Sequence, residues 1–397
     1  MDSFLRILFW ISFFLVGYCY LGYGLVALLF LLFKGRKKEP APVDSAALPS
    51  ISLVITAFQE AGSLQKKLEN IRALDYPASL LKVLLVIDEP DERSLEILKG
   101  YPAVNVLIQS ERTGKYIAIC RAMELVDTPI VVFSDANCVL NRLSLKKMVS
   151  HFKDPNVGAV AGEKKIIYQG IHSALGQAEG WYWNYESWMK KLDAGLYTVV
   201  GAAGELFSIR KELFQPIGEP VILDDLVISL QICLQGYRIA YEPGAFASEL
   251  PSATLKEEGK RKIRIAAGAF QSLHLWKDIL HPFKFPLLWF QFISRRIFRW
   301  VISPVFLSLI LITNIFIVIT GPADGFYFYF LCLQALCYLL AVLGYLLIRA
   351  GKTAGIAGIP FYFLFMNFCI VQGFIRFLGK KQAVNWEKAQ RQTSQYM

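Results

Sequence analysis

A few acids, cations and aromatics are spaced for chemistry on a charged substrate. Asp135 and Asn137 lie two apart in Val131-Val132-Phe133-Ser134-Asp135-Ala136-Asn137, just after the apolar run from Ile130 to Phe133. Such a run, bounded by turn residues, reads as a buried strand. Asp135 then sits past the strand's carboxyl end, where open α/β sheets bind ligands. In extended chain, residues two apart face the same way. Their oxygens suit a hard divalent cation shared with phosphates, although Asp-Ala-Asn is also an ordinary turn sequence. Asp224 and Asp225 open an amphipathic helix. Acids there are commonly caps, but a carboxylate held beside a hydroxyl is also a general base. Arg261 and Arg264, three apart, would share a helix face. Such a pair can clamp a diphosphate or form a lipid-facing patch.

Other features exclude alternatives. Gly114-Lys115 is not a phosphate-binding P-loop, because Gln109 replaces the upstream glycine and Tyr116 the Ser/Thr. A lysine at a helix start can still meet phosphate. The seven cysteines form no Cys-x-x-Cys pair and the four histidines are scattered, which argues against a disulfide framework, a zinc site and a Ser-His-Asp triad. Val199 to Ile209, with Gly201, Gly204 and Glu205, reads as a Gly-rich loop entering a strand. Trp181, Tyr182, Trp183, Tyr185 and Trp188 form an aromatic cluster suited equally to helix packing and to sugar stacking.

The elements that would position these groups alternate. Strands are expected at Ile51 to Thr56, Leu81 to Ile87, Val104 to Gln109, Ile130 to Asp135, Val157 to Val160 and Arg238 to Tyr241. Between them run helices, one capped by Ser63, and Glu242-Pro243 reads as a turn. Strand and helix in alternation predict a mostly parallel sheet with helices on both faces. Thr56, Asp88, Lys115 and Asp135 then fall at strand carboxyl ends and converge on one crevice.

The chain is 55% hydrophobic with a formal charge of +10, and the apolar residues pile up at its ends. Phe4 to Phe33 is long enough to span a membrane, and Lys34, Arg36, Lys37 and Lys38 behind it place the next segment in the cytoplasm. Pro282 to Trp300, with Arg295, Arg296 and Arg299, reads as a helix in the membrane interface. Val301 to Thr320, Phe326 to Ile348 and Ile356 to Phe377 are three further apolar stretches. If all three span, the basic tail from Gly379 lies outside, against the charge rule. The basic balance fits a membrane face, and no nucleic-acid motif is present.

With these residues together, the chain resembles the membrane-bound family 2 glycosyltransferases, the group of hyaluronan, chitin, cellulose and poly-N-acetylglucosamine synthases. The resemblance covers about Pro49 to Gly268. Val54-Ile-Thr-Ala-Phe-Gln-Glu60 resembles the opening strand and nucleotide loop, and Val86-Ile-Asp88 the second strand. Gly114-Lys115 with Phe133-Ser-Asp135-Ala-Asn137 resembles the Gly-Lys loop and the Asp-x-Asp metal element. Leu223-Asp-Asp225 with Gly236-Tyr-Arg-Ile-Ala-Tyr-Glu-Pro243 resembles the catalytic acidic pair and the strand after it.

The resemblance implies a GT-A, Rossmann-like α/β domain facing the cytoplasm of a multi-pass inner-membrane protein. It implies an inverting transfer from a nucleotide sugar, a UDP-sugar by this reading, to a lipid-linked or saccharide acceptor in envelope polysaccharide or glycolipid synthesis. Asp225, with Asp224, would be catalytic, Asp225 as the base. Thr56, Phe58, Glu60, Asp88, Lys115, Ser134, Asp135, Arg261 and Arg264 would bind the donor. Asp135 and Asn137 would hold Mg²⁺ or Mn²⁺. Gly204, Glu205, Trp181 and Trp183 would meet the acceptor. The implied division is a transmembrane helix at 1–36, a linker at 37–49, the GT-A domain at 50–275, an interfacial segment at 276–300, a transmembrane region at 301–378 and a basic tail at 379–397. Two positions depart from the pattern. Asn137 replaces the second acid of Asp-x-Asp. The Gln-x-x-Arg-Trp motif of processive synthases reads Arg261-Lys262-Ile263-Arg264-Ile265, and loss of its tryptophan favours transfer of one or a few sugars. The competing readings are a processive synthase that also exports its polymer and an inactive subunit of a polysaccharide-assembly complex. Four membrane segments make a narrow channel at most, so a partner subunit is expected for any export path.

Overall fold

The computed structural model describes residues 2–34, 47–58, 60–167, 174–321 and 325–379. Most of the expected linker and nearly all of the expected basic tail lie outside the described residues. In chain order, the first half holds α1 (Asp2–Lys34), β1 (Ile51–Phe58), α2 (Ala61–Arg72), β2 (Leu81–Asp88), α3 (Glu92–Lys99), β3 (Asn105–Gln109), α4 (Lys115–Leu125), β4 (Ile130–Asp135), β5 (Val139–Leu140) and α5 (Ser144–Ser150). Next come β6 (Val157–Ile166), α6 (Ala174–Leu196), β7 (Leu206–Arg210), α7 (Asp224–Leu234), β8 (Arg238–Glu249) and α8 (Leu255–Leu275). The chain then enters α9 (Pro286–Thr320), α10 (Gly325–Arg349) and α11 (Gly355–Leu378).

The strands form one sheet in the order β3-β2-β1-β4-β7-β6-β8-β5. Val54, Val86, Val131 and Phe133 feed a core covered by α4 and α7. Ile55, Leu85 and Val132 feed the opposite core, covered by α2 and α5. Burial on both faces is why these strands read as near-continuous apolar runs. Parallel register sets Thr56 beside Asp135 and Phe58 beside Asp88. The strand order reverses at β1 and β4, so a crevice opens at their carboxyl ends.

The sheet is less parallel than expected. The part from β3 to β4 is parallel, but β7 lies antiparallel between β4 and β6. The long α6 separates β6 from β7 in the chain, so the strand that reaches the sheet next returns the other way. Glu242-Pro243 is not a turn but lies inside the 12-residue β8. There the register against β6 jumps from Gly162↔Glu242 to Glu163↔Phe246. Proline has no N–H for the ladder, and a bulge removes the need for one. Ser63 does not cap α2. The helix starts at Ala61, and the Ser63 hydroxyl donates to the Glu60 carboxylate at 2.5 Å.

Four helices, α1, α9, α10 and α11, are long and apolar enough to cross a membrane. The expected interfacial segment is not a separate element. From Pro286 it runs without a break into the next apolar stretch as α9. Its arginines are not all lipid-facing: Arg295 and Arg299 are buried against α6. Arg295 pairs with Glu186 at 3.1 Å and with Asp193 at 2.9 Å, and Arg299 also pairs with Glu186. The Tyr23 hydroxyl on α1 donates to Asp193 at 2.5 Å, tying a third helix into the network. The last helix, α11, packs on α8 through Gly373, where a Cβ would collide with the Ala266 Cβ.

Candidate active site

The parallel register delivers the acids. Asp135 ends β4, and Lys115, at the start of α4, reaches it across the crevice at 2.7 Å. The same ammonium lies 3.2 Å from Asp224 at the start of α7. Lys115 is thus bracketed by a strand end and a helix start. Burial alone would lower its pKa, but Asp135, Asp224 and Asp225 outweigh it and hold the ammonium well above its ordinary range. The positive φ of Gly114 lets the chain turn sharply into α4.

Asp225 keeps part of its surface open yet lies deep in the protein. Burial, and next the neighbouring Asp224 carboxylate, push its pKa up to about 7. Its Oδ1 accepts the Leu226 backbone N–H at 2.8 Å. Gly204 faces it: a Cβ there would stand 3.3 Å from Asp225 Oδ2 and 3.3 Å from Lys115 Nζ. The Gly-rich loop is pinned to α7, since the Ala202 N–H donates to Ser229 Oγ at 3.0 Å. Asp135 is also raised, by burial first, and Glu205 and Asp224 add to this against Lys115.

Other expected donor residues surround this centre. Asp88 is buried, with one carboxylate oxygen lacking a hydrogen bond. Burial raises its pKa, while the Gly114 and Thr113 N–H groups and Arg112 partly offset that. Arg112 stacks over the Phe58 ring at 3.8 Å. Ser134 is buried beneath the floor, donating to the Glu205 carbonyl at 3.0 Å and accepting from Lys67 Nζ at 2.7 Å. Thr56 is buried on β1 beside Asp135. Asn137 lies in the turn after β4, where its Oδ1 accepts the Cys138 thiol at 3.4 Å. Among the described residues no group of three metal-ligating side chains forms. A two-oxygen set completed by phosphate oxygens still fits a hard cation. Buried Asp224 Oδ2, which meets Lys115 as an ion pair but makes no hydrogen bond, adds negative potential there.

The two arginines do not act as a pair. Burial lowers the Arg264 pKa and the Arg261 charge adds to this, while Asp224, Asp135 and Asp225 pull the other way. Arg261 turns away and is engaged by Glu179 at 2.6 Å, Glu258 at 3.1 Å and Glu249 at 3.2 Å. A guanidinium held by three carboxylates has no fork left for a diphosphate, so the expected two-arginine clamp reduces to Arg264. Burial pushes the Glu205 carboxyl up, but its partner Lys164 outweighs this and holds it below the ordinary range. Lys164 also pairs with Glu249.

Beyond Asp225 a cavity of about 560 Å³ opens between the sheet domain and the membrane helices. Trp181 and Trp183 line it, with Glu205, Ile265 and residues of α1, α9 and α11. The Trp183 ring lies 5.0 Å from Lys164 Nζ, and its Nε1 donates to Glu179 at 3.3 Å. Lys67, Lys164, Lys190 and Arg296 are not legible as site residues in the sequence. The one available signal is Lys164, a lysine inside the otherwise buried strand β6.

This sheet, with acids at its crevice and membrane-length helices beside it, is a GT-A glycosyltransferase fold. The family described as "Glycosyltransferase like family 2" matches residues 49–268, and the chain belongs to that family. A mannosyltransferase from Pyrobaculum calidifontis, solved with GDP-Man and Mn²⁺, superposes with a TM-score of 0.70 at 20% identity, covering 94% of this chain and 100% of that one. Poly-beta-1,6-N-acetyl-D-glucosamine synthase of Staphylococcus aureus is 26% identical over 279 residues, 67% of this chain and 65% of that protein. The match thus spans under two thirds of that relative. Glycosyltransferase AglE of Haloferax volcanii is 28% identical over 128 residues, 31% of this chain and 42% of that protein.

Proposed function

We propose that the chain is an inverting, membrane-bound glycosyltransferase that uses a nucleotide sugar, UDP-linked by the resemblance, with its catalytic domain on the cytoplasmic face of the cell membrane. The observation that carries this reading is Asp225, a carboxyl with a pKa near 7 where the crevice and the cavity meet. An acceptor hydroxyl entering from the cavity gives its proton to Asp225. Its oxygen bonds to the anomeric carbon as the carbon–oxygen bond to the diphosphate breaks, and that electron pair leaves with the diphosphate. Single displacement inverts the anomeric centre.

Asp88 takes the nucleoside, within the shelf made by Thr56, Phe58 and Glu60. Lys115 and Arg264 face the diphosphate. Asp135 and Asn137 are the residues that would hold Mg²⁺ or Mn²⁺, which supplies charge stabilisation on the departing diphosphate. Asp224 orients Lys115 and raises the basicity of Asp225. Gly204 keeps the acceptor's approach open. A processive synthase is the second reading, favoured by Trp181 and Trp183 on the cavity wall.

The test is nucleotide release by purified protein from a panel of UDP-, GDP- and CMP-sugars, with and without Mn²⁺ or Mg²⁺, with lipid extract as acceptor. Metal-dependent release from one sugar, absent in Asp225→Asn, is expected. Silence across the panel would leave the inactive-subunit reading standing instead. Long product rather than single additions would establish processive synthesis.

A further inference from the structure

The Asp135-Ala136-Asn137 turn rests on a buried lysine that the proposed chemistry does not use. Lys67 lies in the second turn of α2, on the face that also buries Leu64, Leu68 and Ile71. Its neighbours on that face are apolar, and their pattern alone calls for another apolar side chain there. Lys67 is 1% exposed, and its ammonium makes no ion pair among the described residues. Burial pushes its pKa down to about 8, against the pull of Cys138 and Asp135, so it is still protonated at neutral pH. A buried cation costs free energy unless hydrogen bonds answer it, and a methionine would fill similar space without that cost.

The bonds that Lys67 makes explain its place. Its Nζ donates to Ser134 Oγ at 2.7 Å and to the Cys138 carbonyl at 2.9 Å. Ser134 comes immediately before Asp135, and Cys138 immediately after Asn137. One ammonium thus bridges both shoulders of the turn. Ser134 passes the tie on, since its hydroxyl donates to the Glu205 carbonyl at 3.0 Å. Glu205 follows Gly204, the residue that faces Asp225. Asn70, three residues on and so on the same side of α2, holds the chain beyond the turn. Its Nδ2 donates to the Leu140 carbonyl and its Oδ1 accepts the Leu140 N–H, each at 2.8 Å. The segment from Ser134 to Leu140 is therefore pinned from behind by polar side chains of one helix.

We propose that Lys67 is a positioning residue for the cation site. It fixes the separation and direction of Asp135 and Asn137, and through Ser134 it couples their turn to the loop opposite Asp225. The reason lies in the donor set. Asn137 brings no charge, so the pair offers one carboxylate, and such a set holds a divalent cation best when both oxygens are already aimed. Asn137 gets little help from its own contacts, its Oδ1 accepting a thiol at 3.4 Å. This deepens the proposed function and rests on reading Asp135 and Asn137 as the residues that hold the cation. The opposing account is electrostatic: a fixed positive charge close to Asp135 would repel the cation. The two accounts differ in sign.

Binding without transfer separates them, on the full chain in detergent. UDP and GDP are each titrated by calorimetry in Mn²⁺ and again in EDTA. The ratio of the two dissociation constants measures what the cation site contributes. Lys67→Met is expected to weaken binding in Mn²⁺ by about 10–100-fold, the usual worth of a group that orients metal ligands, and to leave binding in EDTA within about twofold. Ser134→Ala keeps Lys67 but cuts its tie to the near shoulder of the turn, and should reproduce much of that loss. The double variant should lose less than the two single losses combined, because the residues act as one unit. Ser134→Ala also keeps the test decisive if Lys67→Met fails to fold. An unchanged ratio in either folded variant overturns the inference. So does a loss in EDTA as large as that in Mn²⁺, the mark of a merely structural role. Tighter binding in Mn²⁺ by Lys67→Met overturns it in favour of repulsion. A parent chain that binds neither nucleotide better in Mn²⁺ than in EDTA would sink the reading of Asp135 and Asn137, and the inference with it. Mn²⁺-dependent binding by the parent that is indifferent to Lys67 would count against this inference alone.

Discussion

At the scale of single residues, the site turns on how burial and neighbours set Asp225. As a base it works only when ionised, so kcat/KM should rise as pH rises through about 7 and level above it. An ordinary aspartate would place that limb near about 4. Asp224→Asn removes the second cause of the shift and should move the limb to lower pH, with burial keeping it above the ordinary value. A limb that stays put in this variant would detach Asp224 from the base. Asp225→Asn itself should lower kcat by roughly 10²–10⁴-fold, the usual worth of a general base, while nucleotide binding by calorimetry is retained. Lys115 is the shared cation of Asp135 and Asp224. Lys115→Ala should weaken nucleoside-diphosphate binding by about tenfold or more, since a charge-assisted contact is lost and two acids are left facing the diphosphate.

At the scale of elements, close backbone approach positions the chemistry. The Gly-rich loop reaches Asp225 because Gly204 has no side chain. In Gly204→Ala the new Cβ would sit 3.3 Å from both Asp225 Oδ2 and Lys115 Nζ. We expect kcat to fall with little change in melting temperature, because the crowding falls on the reacting groups and not on the core. The contact of α8 with α11 is a small-residue seam of another kind. In Gly373→Val the Cβ would collide with the Ala266 Cβ and lie 2.9 Å from the Ala267 backbone nitrogen. Neither neighbour can swing away, so overpacking should cost about 1–3 kcal/mol, read as a lower melting temperature in detergent. Since α8 carries Arg264, activity should fall with it.

At the scale of the whole molecule, a buried ion network joins the catalytic domain to the membrane-length helices. Glu186 on α6 meets Arg295 and Arg299 on α9, and Asp193 meets Arg295 and Tyr23 of α1. Burial opposes its ionisation, but the two arginines hold the Glu186 carboxyl well below the usual carboxylate range. Glu186→Gln would leave the buried Arg299 guanidinium without a carboxylate and Arg295 with Asp193 alone, and should destabilise the protein by about 3–5 kcal/mol. A variant as stable as the parent in a thermal melt would show that the network does not fasten the two parts together.

The sequence by itself determined what is local. Apolar runs ending in Thr56, Asp88 and Asp135 announced parallel strands with ligands at their carboxyl ends, because strands buried on both faces must be continuously apolar. The motifs that resemble family 2 glycosyltransferases named the acids, and the long apolar stretches named the membrane segments, because each is a pattern carried on one element. Tertiary structure decided what depends on partners distant in the chain. The antiparallel insertion of β7, the bulge at Pro243 and the fusion of the expected interfacial segment into α9 depend on neighbours more than on local propensity. Arg261 and Arg264 look alike at a spacing of three, yet one is consumed by Glu179, Glu249 and Glu258 and the other is acted on by the charges of Asp224, Asp135 and Asp225. Which of two like charges is consumed depends on residues distant in the chain, and that pairing exists only in the folded chain.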